Sequence, residues 1–399
     1  MTKKITEKGS SSTQKLKYAV SGMQGLRATM EDRHIHRSSI PLRVGTACET
    51  VIEDHSIFAV FDGHGGDFTS NYLRDNFLSV LSQRPELGKY AELPGAGTKS
   101  KADVTGIQLL KQALVRTFVD LDKNLIPLQQ QRNRDIQSGK ISPPPLTPES
   151  DSEEEYDSEV EDELKMRLVP GERSGSTGIV VIVTPSHYVC ANAGDSRAVL
   201  RRSGSIVPLS FDHKPSDVPE RLRVVAAGGA VKGKRVDGDL AVSRAFGDYT
   251  FKQQKELPVE KQRVIVVPDL LVYPRNHEED EFIVIACDGI WDVASNKQCT
   301  DFIQTLLSEG EIDLGNVCEE TLDTCLDRNS RDNMTLMLIG LPGIKFDSSS
   351  SAVVTNVLWG HRTTRHTKNV SRATINMAHR ACLQIGAEFV DAEARFWES

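Results

Sequence analysis

The chain has 399 residues, of which 38% are hydrophobic and 26% are charged, and it carries a formal net charge of −8. This composition predicts a soluble globular protein with a large core and excludes a membrane-spanning one, because the longest aliphatic runs, such as IVVIV at 179–183, are far shorter than the roughly 18 apolar residues of a spanning helix. Ten acidic and no basic residues lie in the run 149–163, so the rest of the chain is nearly neutral and its charge gives no support for nucleic-acid binding.

The N-terminal residues and the cysteines predict an intracellular protein. No apolar run follows the first lysines, so we expect no secretory signal, and Thr2 stands where a myristoylation signal needs glycine. The seven cysteines are odd in number and contain no CxxC pair, which favours reduced, packed side chains over zinc ligands or redox chemistry. We expect a cytoplasmic protein, with the nucleus as a second compartment.

The first half of the chain predicts two strands and two helices. Residues 1–14 are polar, and we expect them to form a disordered tail. Hydrophobic periodicity then predicts strands at 17–22 and 57–61 and helices at 67–82 and 105–130. Residues 132–171 combine a proline-rich stretch with the acidic run, which predicts a disordered insertion inside one domain spanning 15–344.

The second half is rich in strand signals. Strands are predicted at 178–184, 187–191, 197–202, 205–209, 263–267, 281–287 and 334–340, and helices at 217–228, 296–308 and 314–327. Asn296 is a candidate cap for the second of these helices. This pattern predicts an α+β fold in which two packed sheets have helices outside them. Residues 345–399 form a C-terminal tail for which the sequence predicts no definite structure.

Aspartates recur where the predicted strands begin or end. Asp62 and Asp288 follow apolar strands, Asp332 precedes one, and Asp195 lies in a turn between two. Each could simply cap its own turn, and Asp67 could cap the helix that follows FDGHGGD. Four such residues beside buried strands instead favour a shared site, because clustered carboxylates repel unless a cation neutralises them. Oxygen ligands of this kind favour magnesium or manganese over zinc.

An ordered series of motifs covers residues 17–340 apart from the insertion. The motifs are MQGLRATMEDRH (23–34), FDGHGG (61–66), SGSTGIVVIV (174–183), NAGDSRAVL (192–200), DHKP (212–215), RLRVVAAGGAV (221–231), VDGDLAVSRAFGD (236–248), ACDGIWDV (286–293) and SRDN (330–333). In content and order they resemble the metal-dependent protein phosphatase family, often called type 2C. The resemblance implies mainly antiparallel sheets in an α-β-β-α sandwich.

The resemblance also implies a centre of two divalent cations, manganese or magnesium. The expected ligands are Asp62, the Gly63 carbonyl, Asp288 and Asp332, with Glu31 and Asp32 holding metal-bound waters. Asp195 and Asp292 match positions that hold a weaker third metal in some family members. Each of these two could instead cap a turn, Asp195 its own and Asp292 the one before the helix at 296.

The implied reaction is hydrolysis of phosphoserine and phosphothreonine in proteins. A hydroxide shared by the two cations would attack phosphorus directly, with Asp62 bridging the metals. Arg27 would bind the phosphate through its guanidinium fork, and His64 would protonate the departing Ser or Thr oxygen. The structural alternatives are a surface arginine and a turn histidine. The basic residues Lys232, Lys234 and Arg235 could contact acidic substrates or form a solvated loop.

Rival interpretations fit the sequence less well. A cysteine-based tyrosine phosphatase needs a Cys and an Arg six residues apart, which Cys325 and Arg331 satisfy, but the glycine-containing loop between them is missing. A non-catalytic scaffold is disfavoured because every expected ligand position is filled. The sequence does not exclude a third alternative, a metal-dependent hydrolase that acts on small phosphoesters. We therefore expect a monomeric enzyme that acts on phosphorylated proteins and binds neither nucleic acid nor membrane.

Overall fold

The structure is a computed structural model, and it describes residues 2–44, 48–93, 101–142 and 173–344. Residues 143–171 of the predicted insertion and the predicted tail at 345–399 lie outside these ranges. Each helix within them is too short or too polar for a bilayer span.

Among the described residues, eleven strands form two large sheets in which every pairing is antiparallel. The six-stranded sheet has the order β1 (Lys4–Ser11), β2 (Leu16–Met23), β18 (Met334–Gly340), β17 (Asp280–Ala286), β11 (Arg197–Arg202) and β12 (Ser205–Pro208). The five-stranded sheet has the order β16 (Asp269–Pro274), β10 (His187–Ala193), β9 (Gly178–Val183), β6 (Ser56–Phe61) and β3 (Arg33–Arg37).

Short strands and helices complete the described part of the chain. The short strands are β4 (Ile40–Val44), β5 (Cys48–Ile52), β7 (Gly63–His64), β8 (Gly175–Ser176), β13 (Val231–Lys232), β14 (Arg235–Val236) and β15 (Phe246–Gly247). The helices are α1 (Phe68–Ser82), α2 (Pro85–Ala91), α3 (Lys101–Gln137), α4 (Val218–Ala226), α5 (Asp288–Trp291), α6 (Asn296–Ser308) and α7 (Leu314–Asp327). Two 3₁₀ turns lie at Tyr249–Phe251 and Val259–Lys261.

The apolar core is divided into layers by the two sheets. One cluster lies between the sheets, a second between the six-stranded sheet and α5–α7, and a third between the five-stranded sheet and α1–α3. Successive strand residues point to opposite faces, so Phe58 and Val60 of β6 enter the central layer while Ile57, Ala59 and Phe61 pack against helices. The predicted α-β-β-α sandwich is therefore confirmed.

The prediction of a disordered tail at residues 1–14 is wrong for Lys4–Ser11. These residues form β1, which pairs with β2 at the edge of the six-stranded sheet. Their polar side chains find partners on α7: Lys4 Nζ lies 2.7 Å from Asp323 Oδ2, and the Thr6 hydroxyl donates to Glu319 at 2.8 Å. A polar edge strand lacks the hydrophobic alternation by which strands are recognised in a sequence.

The predicted insertion also begins too early, because α3 continues to Gln137. The extra turns are polar and carry contacts between neighbours three and four residues apart. Gln131 Nε2 donates to Asp135 Oδ1 at 3.1 Å, and Arg134 Nη2 donates to Gln131 Oε1 at 2.6 Å. Such pairs stabilise a helix without apolar periodicity, which is why the sequence pattern did not reveal them.

Two further local predictions are wrong. Residues 263–267 form only an isolated bridge, between Ile265 and Arg244, so their apolar run reflects burial and not a sheet ladder. The cap of α6 is Ser295, whose side chain accepts from the Gln298 amide in a capping box. The Asn296 side chain instead accepts a hydrogen bond from Arg197 at 2.5 Å.

Helix α4 is fixed by an ion-pair cluster around Glu220, a buried residue. Arg223 Nη1 donates to Glu220 Oε2 at 2.6 Å, and Arg244 Nη2 donates to Oε1 at 2.7 Å. Burial raises the pKa of Glu220, but the bonds from Arg244 and Arg223 outweigh it and lower that pKa to about 2. The ionised carboxylate therefore stabilises the folded state.

We expect Glu220→Gln to destabilise the protein by about 3 kcal/mol at neutral pH, because it leaves two arginines without a buried counter-charge. The folded pKa lies below the unfolded value of 4.5, so this contribution is complete above pH 4.5 and is lost as the pH falls towards 2. Chemical denaturation from pH 7 to pH 3 measures it, with the exposed Glu260→Gln as the control. An equal loss of stability at every pH would contradict the ion-pair interpretation.

Candidate functional site

Ends of strands from both sheets meet at one side of the sandwich. Asp62 follows β6 and Asp288 follows β17, while Asp332 precedes β18, which runs antiparallel beside β17. The turn between β10 and β11 adds Asp195. Carboxylate oxygens of Asp62, Asp195 and Asp288 lie within 4.8 Å of one another. The predicted convergence of these aspartates is present in the structure.

These side chains line a cavity of about 110 Å³. Its lining includes eight of the predicted site residues, namely Arg27, Glu31, Asp62, Gly63, His64, Asp195, Asp288 and Asp332. Asp32 lies behind this lining as a buried neighbour of Asp62. Thus one small cavity brings together an arginine, a histidine and most of the predicted carboxylates.

The electrostatics of the cavity favour a bound cation. Burial and the charges of neighbouring carboxylates raise the pKa values of Asp62 and Asp288 well above the usual range. Burial also raises the pKa of Asp32 to about 6, although a hydrogen bond from the Thr335 hydroxyl to Asp32 Oδ2 opposes the rise. Carboxylates held this close lower one another's acidity, and a positive ion would relieve the repulsion.

The donor atoms fit a hard divalent cation. Among the described residues, the buried oxygens Asp32 Oδ1 and Asp195 Oδ1 have no hydrogen-bond partner. A buried unpaired carboxylate oxygen is costly, so each is available to a metal or to its water. Carboxylate oxygens with an adjacent backbone carbonyl, at Gly63, are the ligand types that magnesium, manganese and calcium prefer. The residues present therefore fit the predicted metal centre.

Arg27 is held at the rim of the cavity by one of the carboxylates that line it. Its Nη2 lies 2.7 Å from Asp332 Oδ2. The loop that carries it turns at Gly25, whose φ is +64° and whose α-carbon faces the Asp332 carbonyl too closely for any side chain. This close approach couples the position of Arg27 to the start of β18, so Arg27 is not an ordinary surface arginine.

Glu31 is fixed by protein donors. Its Oε1 accepts from the Thr29 hydroxyl at 2.6 Å, and its Oε2 accepts from the Gly66 amide at 3.0 Å. The Glu31 amide in turn donates to Asn333 Oδ1 at 2.7 Å. Glu31 therefore faces the cavity in one fixed orientation, as expected of a residue that positions water beside a metal.

His64 makes a contact that the sequence analysis did not foresee. Its Nε2 lies 2.8 Å from Oδ2 of Asp248, a buried residue 184 positions away. Asp248 has a left-handed backbone, with φ of +52°, which is uncommon for a residue with a side chain. Surrounding contacts must hold such a conformation, and they place a carboxylate where it can orient the imidazole ring.

Comparison with known proteins assigns the chain to a family. The sequence profile described as "Protein phosphatase 2C" matches residues 16–143 and 131–334. The chain belongs to the protein phosphatase 2C family. The match covers every cavity residue described above and all strands of the two sheets except β1 and most of β18.

Curated relatives agree with this assignment. The chain is 34% identical over 327 residues to "Protein phosphatase ppm-1.A" of Caenorhabditis elegans, covering 82% of this chain and 59% of that protein. It is 35% identical over 325 residues to "Protein phosphatase 1B" of Bos taurus, covering 81% and 56%. It is 32% identical to human "Protein phosphatase 1A" over 82% of this chain and 71% of that one. This chain therefore covers little more than half the length of the first two relatives.

Solved structures share the fold. A serine-threonine phosphatase 2C from Toxoplasma gondii superposes with a TM-score of 0.63 at 22% identity, covering 85% of this chain and 99% of that one. A second phosphatase from the same organism superposes with a TM-score of 0.59 at 24% identity, over 86% and 96%. At this identity the likeness supports the phosphatase 2C sandwich and nothing finer.

The two predicted third-metal residues are placed differently in this phosphatase 2C chain. Asp195 is buried beside Asp62 and Asp288, and its Oδ2 lies 2.5 Å from Lys214 Nζ. Asp292 lies at the exposed end of α5, outside the group of three carboxylates, although it is within electrostatic range of Lys214. The ammonium of Lys214 therefore pairs with Asp195 and attracts Asp292 only at longer range.

The structure contradicts the tyrosine-phosphatase alternative. Cys325 is fully buried in α7, and burial raises the pKa of its thiol to about 12, the opposite of a reactive nucleophile. Buried free thiols are also found at Cys190, Cys287, Cys299 and Cys318, which confirms reduced, packed cysteines for the described side chains.

Three site residues were missed although they stand inside the recognised motifs. Asp248 ends SRAFGD, Lys214 belongs to DHKP, and Asn333 ends SRDN. Asn333 fixes the connection between β2 and β3 to the start of β18, since its Nδ2 donates to the carbonyls of Gln24 and Thr29 while its Oδ1 accepts from the Glu31 amide. The available signal was a polar residue in each motif to which the motif itself had assigned no role.

Proposed function

We propose that this chain is a metal-dependent protein phosphatase that hydrolyses phosphoserine and phosphothreonine. The observation that carries the proposal is the convergence of Asp62, Asp195, Asp288 and Asp332 in one cavity with Arg27 and His64 at its wall. Family membership supports the reaction class. The alternative of a non-catalytic scaffold fits less well, because such a scaffold has no need for paired acidic and basic groups in one cavity.

The cations are proposed to be magnesium or manganese. Asp62, the Gly63 carbonyl, Asp288 and Asp332 would hold them, with Glu31 and Asp32 orienting water. When bound, such cations would supply hydroxide near neutral pH, because they lower the pKa of water. Asp62 is fixed for this task, because the Thr177 amide donates to its carbonyl oxygen at 2.8 Å.

Arg27 is proposed to bind the phosphate of the substrate. Its guanidinium carries a permanent charge, and its fork matches two phosphate oxygens. The ion pair with Asp332 orients the side chain before the substrate arrives, which reduces the entropy lost on binding.

His64 is proposed to donate a proton to the serine or threonine oxygen as the phosphorus–oxygen bond breaks. The alkoxide of an amino-acid side chain is a poor leaving group, so protonation contributes roughly 10²–10⁴-fold to the rate. Asp248 accepts from one ring nitrogen in the described arrangement and so fixes the plane of the imidazole. Asp248 is a positioning residue and does not itself touch the substrate.

Phosphorylated proteins are the proposed substrates. The segment around the β13–β14 hairpin forms one wall of the cavity, through Arg235, Leu240, Ala241 and Val242. Lys232 on the same hairpin is exposed, so this wall offers positive charge to residues that flank a phosphate. A small phosphoester would reach the cations without using this wall.

The test is release of phosphate from a phosphothreonine peptide by the purified chain. We expect no turnover after EDTA treatment, recovery on addition of millimolar magnesium or manganese, and loss again on renewed chelation. Calcium of the same charge is the control for a purely electrostatic effect. No release from folded protein with either metal would favour the scaffold, and faster hydrolysis of small phosphoesters than of peptides would overturn the substrate class.

A further inference from the structure

A second group of potential metal ligands lies away from the catalytic cavity. Glu7 on β1 faces His34 and His36 on β3, and their ligand atoms lie within 4.8 Å of one another. Glu7 Oε1 is 3.5 Å from His34 Nε2, and Glu7 Oε2 is 2.8 Å from His36 Nε2. None of the three residues lines the cavity that holds Asp62 and Asp288.

The backbone presents these side chains as a set. Residues two apart on a strand share a face, so His34 and His36 project together while Ile35 between them enters the core. Strand β3 is an outer strand of the five-stranded sheet, and β1 is an outer strand of the six-stranded sheet. The group therefore joins the two sheets where the sandwich meets solvent.

The imidazole rings are held by packing. The His36 ring lies 5.4 Å from the ring of Tyr18, which itself packs edge-on against Phe58 in the central layer. The rings of His34 and His36 are stacked 5.7 Å apart at 21°. Side chains fixed in this way lose little conformational entropy when they bind an ion.

We propose that Glu7, His34 and His36 form a binding site for a borderline divalent cation, zinc, that links the two sheets. Two histidines and one carboxylate are a known ligand set for zinc, with water in the fourth position. Ligand atoms about 2.0–2.1 Å from a tetrahedral zinc lie roughly 3.3–3.4 Å from each other, so the 3.5 Å spacing already fits and the 2.8 Å contact needs only a small opening.

The chemistry separates this site from the carboxylate cavity. Imidazole nitrogen favours zinc, whereas the all-oxygen cavity favours magnesium or manganese. Zinc needs neutral imidazole, and burial, although opposed by Glu7, lowers the pKa of His34. Glu7 is ionised more readily than usual, because a hydrogen bond from His36 lowers its pKa. Binding would replace that hydrogen bond, and the neutral imidazole of His36 would then carry its proton on Nδ1.

The experiment is a zinc titration of the full chain by calorimetry. The protein is stripped with EDTA and returned to excess magnesium, which occupies the catalytic cavity. We expect one zinc ion per wild-type chain to bind at the new site. His36→Gln and Glu7→Gln should each weaken this binding by more than about ten-fold, the lower bound for the loss of an outer partner of a metal ligand. His277→Gln, at an exposed histidine elsewhere, should bind zinc as the wild type does.

A second readout is thermal stability in magnesium with and without zinc. Zinc should raise the Tm of the wild type and of His277→Gln, and it should leave the Tm of His36→Gln unchanged, because the ion binds only the folded state. Phosphatase activity in magnesium alone should be the same in all four proteins. Equal zinc affinity in wild type and His36→Gln, or no zinc binding, would overturn the proposal and leave the catalytic proposal untouched.

Discussion

Asp288→Asn is expected to reduce turnover of a phosphothreonine peptide by more than about 100-fold, since loss of even an outer partner of a metal ligand costs about 10–100-fold. The same variant should be more stable than the wild type when metal is removed, because it takes one charge out of a buried carboxylate cluster. A gain of about 1 kcal/mol corresponds to a rise in Tm of roughly 2–4 °C. In saturating magnesium the wild type should instead be the more stable of the two proteins. Binding adds about 2.7 kcal/mol to its free energy of unfolding when the free magnesium concentration is a hundred times Kd.

The measurements are steady-state kinetics in magnesium and differential scanning calorimetry with EDTA or magnesium. Asp323→Asn is the matched control, because that carboxylate lies on α7 and pairs with Lys4, remote from the cavity. It should change neither turnover nor the metal dependence of Tm. If Asp288→Asn is less stable than the wild type in EDTA, the interpretation that the carboxylates repel one another in the absence of a cation is wrong.

His64→Gln is expected to slow hydrolysis of a phosphothreonine peptide by roughly 10²–10⁴-fold, with a much smaller loss on an activated aryl phosphate. The difference arises because an aryl oxide leaves without a proton, whereas the threonine oxygen needs one. The measurement is the ratio of kcat values for the two substrates. Equal losses on both would show that His64 acts on binding or on metal placement and not as the acid.

Gly175→Ala tests the orientation of His64 without removing it. A β-carbon on Gly175 would overlap both His64 Nε2 and Asp248 Oδ2, so it must disturb their contact. We expect a milder form of the same selective loss on the phosphothreonine peptide. Gly88→Ala is the control, because a β-carbon there meets no atom of the described residues within 4 Å. If Gly175→Ala hydrolyses both substrates at the wild-type rate, the proposal that Asp248 orients His64 is wrong.

Much of the fold followed from local patterns. Strands such as β6, β9 and β17 are buried along their whole length and mainly apolar, because both of their faces are covered, and their bounds were predicted to within one or two residues. Strand β3 was missed, since its sequence RHIHR has one apolar residue, Ile35, among histidines and arginines. Strand β3 forms because all five of its residues pair with β6 in an antiparallel ladder. Such pairing between distant segments is not visible in a local sequence pattern.

The sequence by itself determined most of the residues that the site contains, through strand-end aspartates, glycines that permit close approach, and motifs in a recognisable order. Only the tertiary structure decided which of these side chains meet. His64 contacts Asp248 across 184 positions, Lys214 lies against Asp195, and Glu7 on a polar edge strand reaches His34 and His36. The physical reason is that periodicity records how each element is buried, whereas contacts between elements depend on how the two sheets pair and stack.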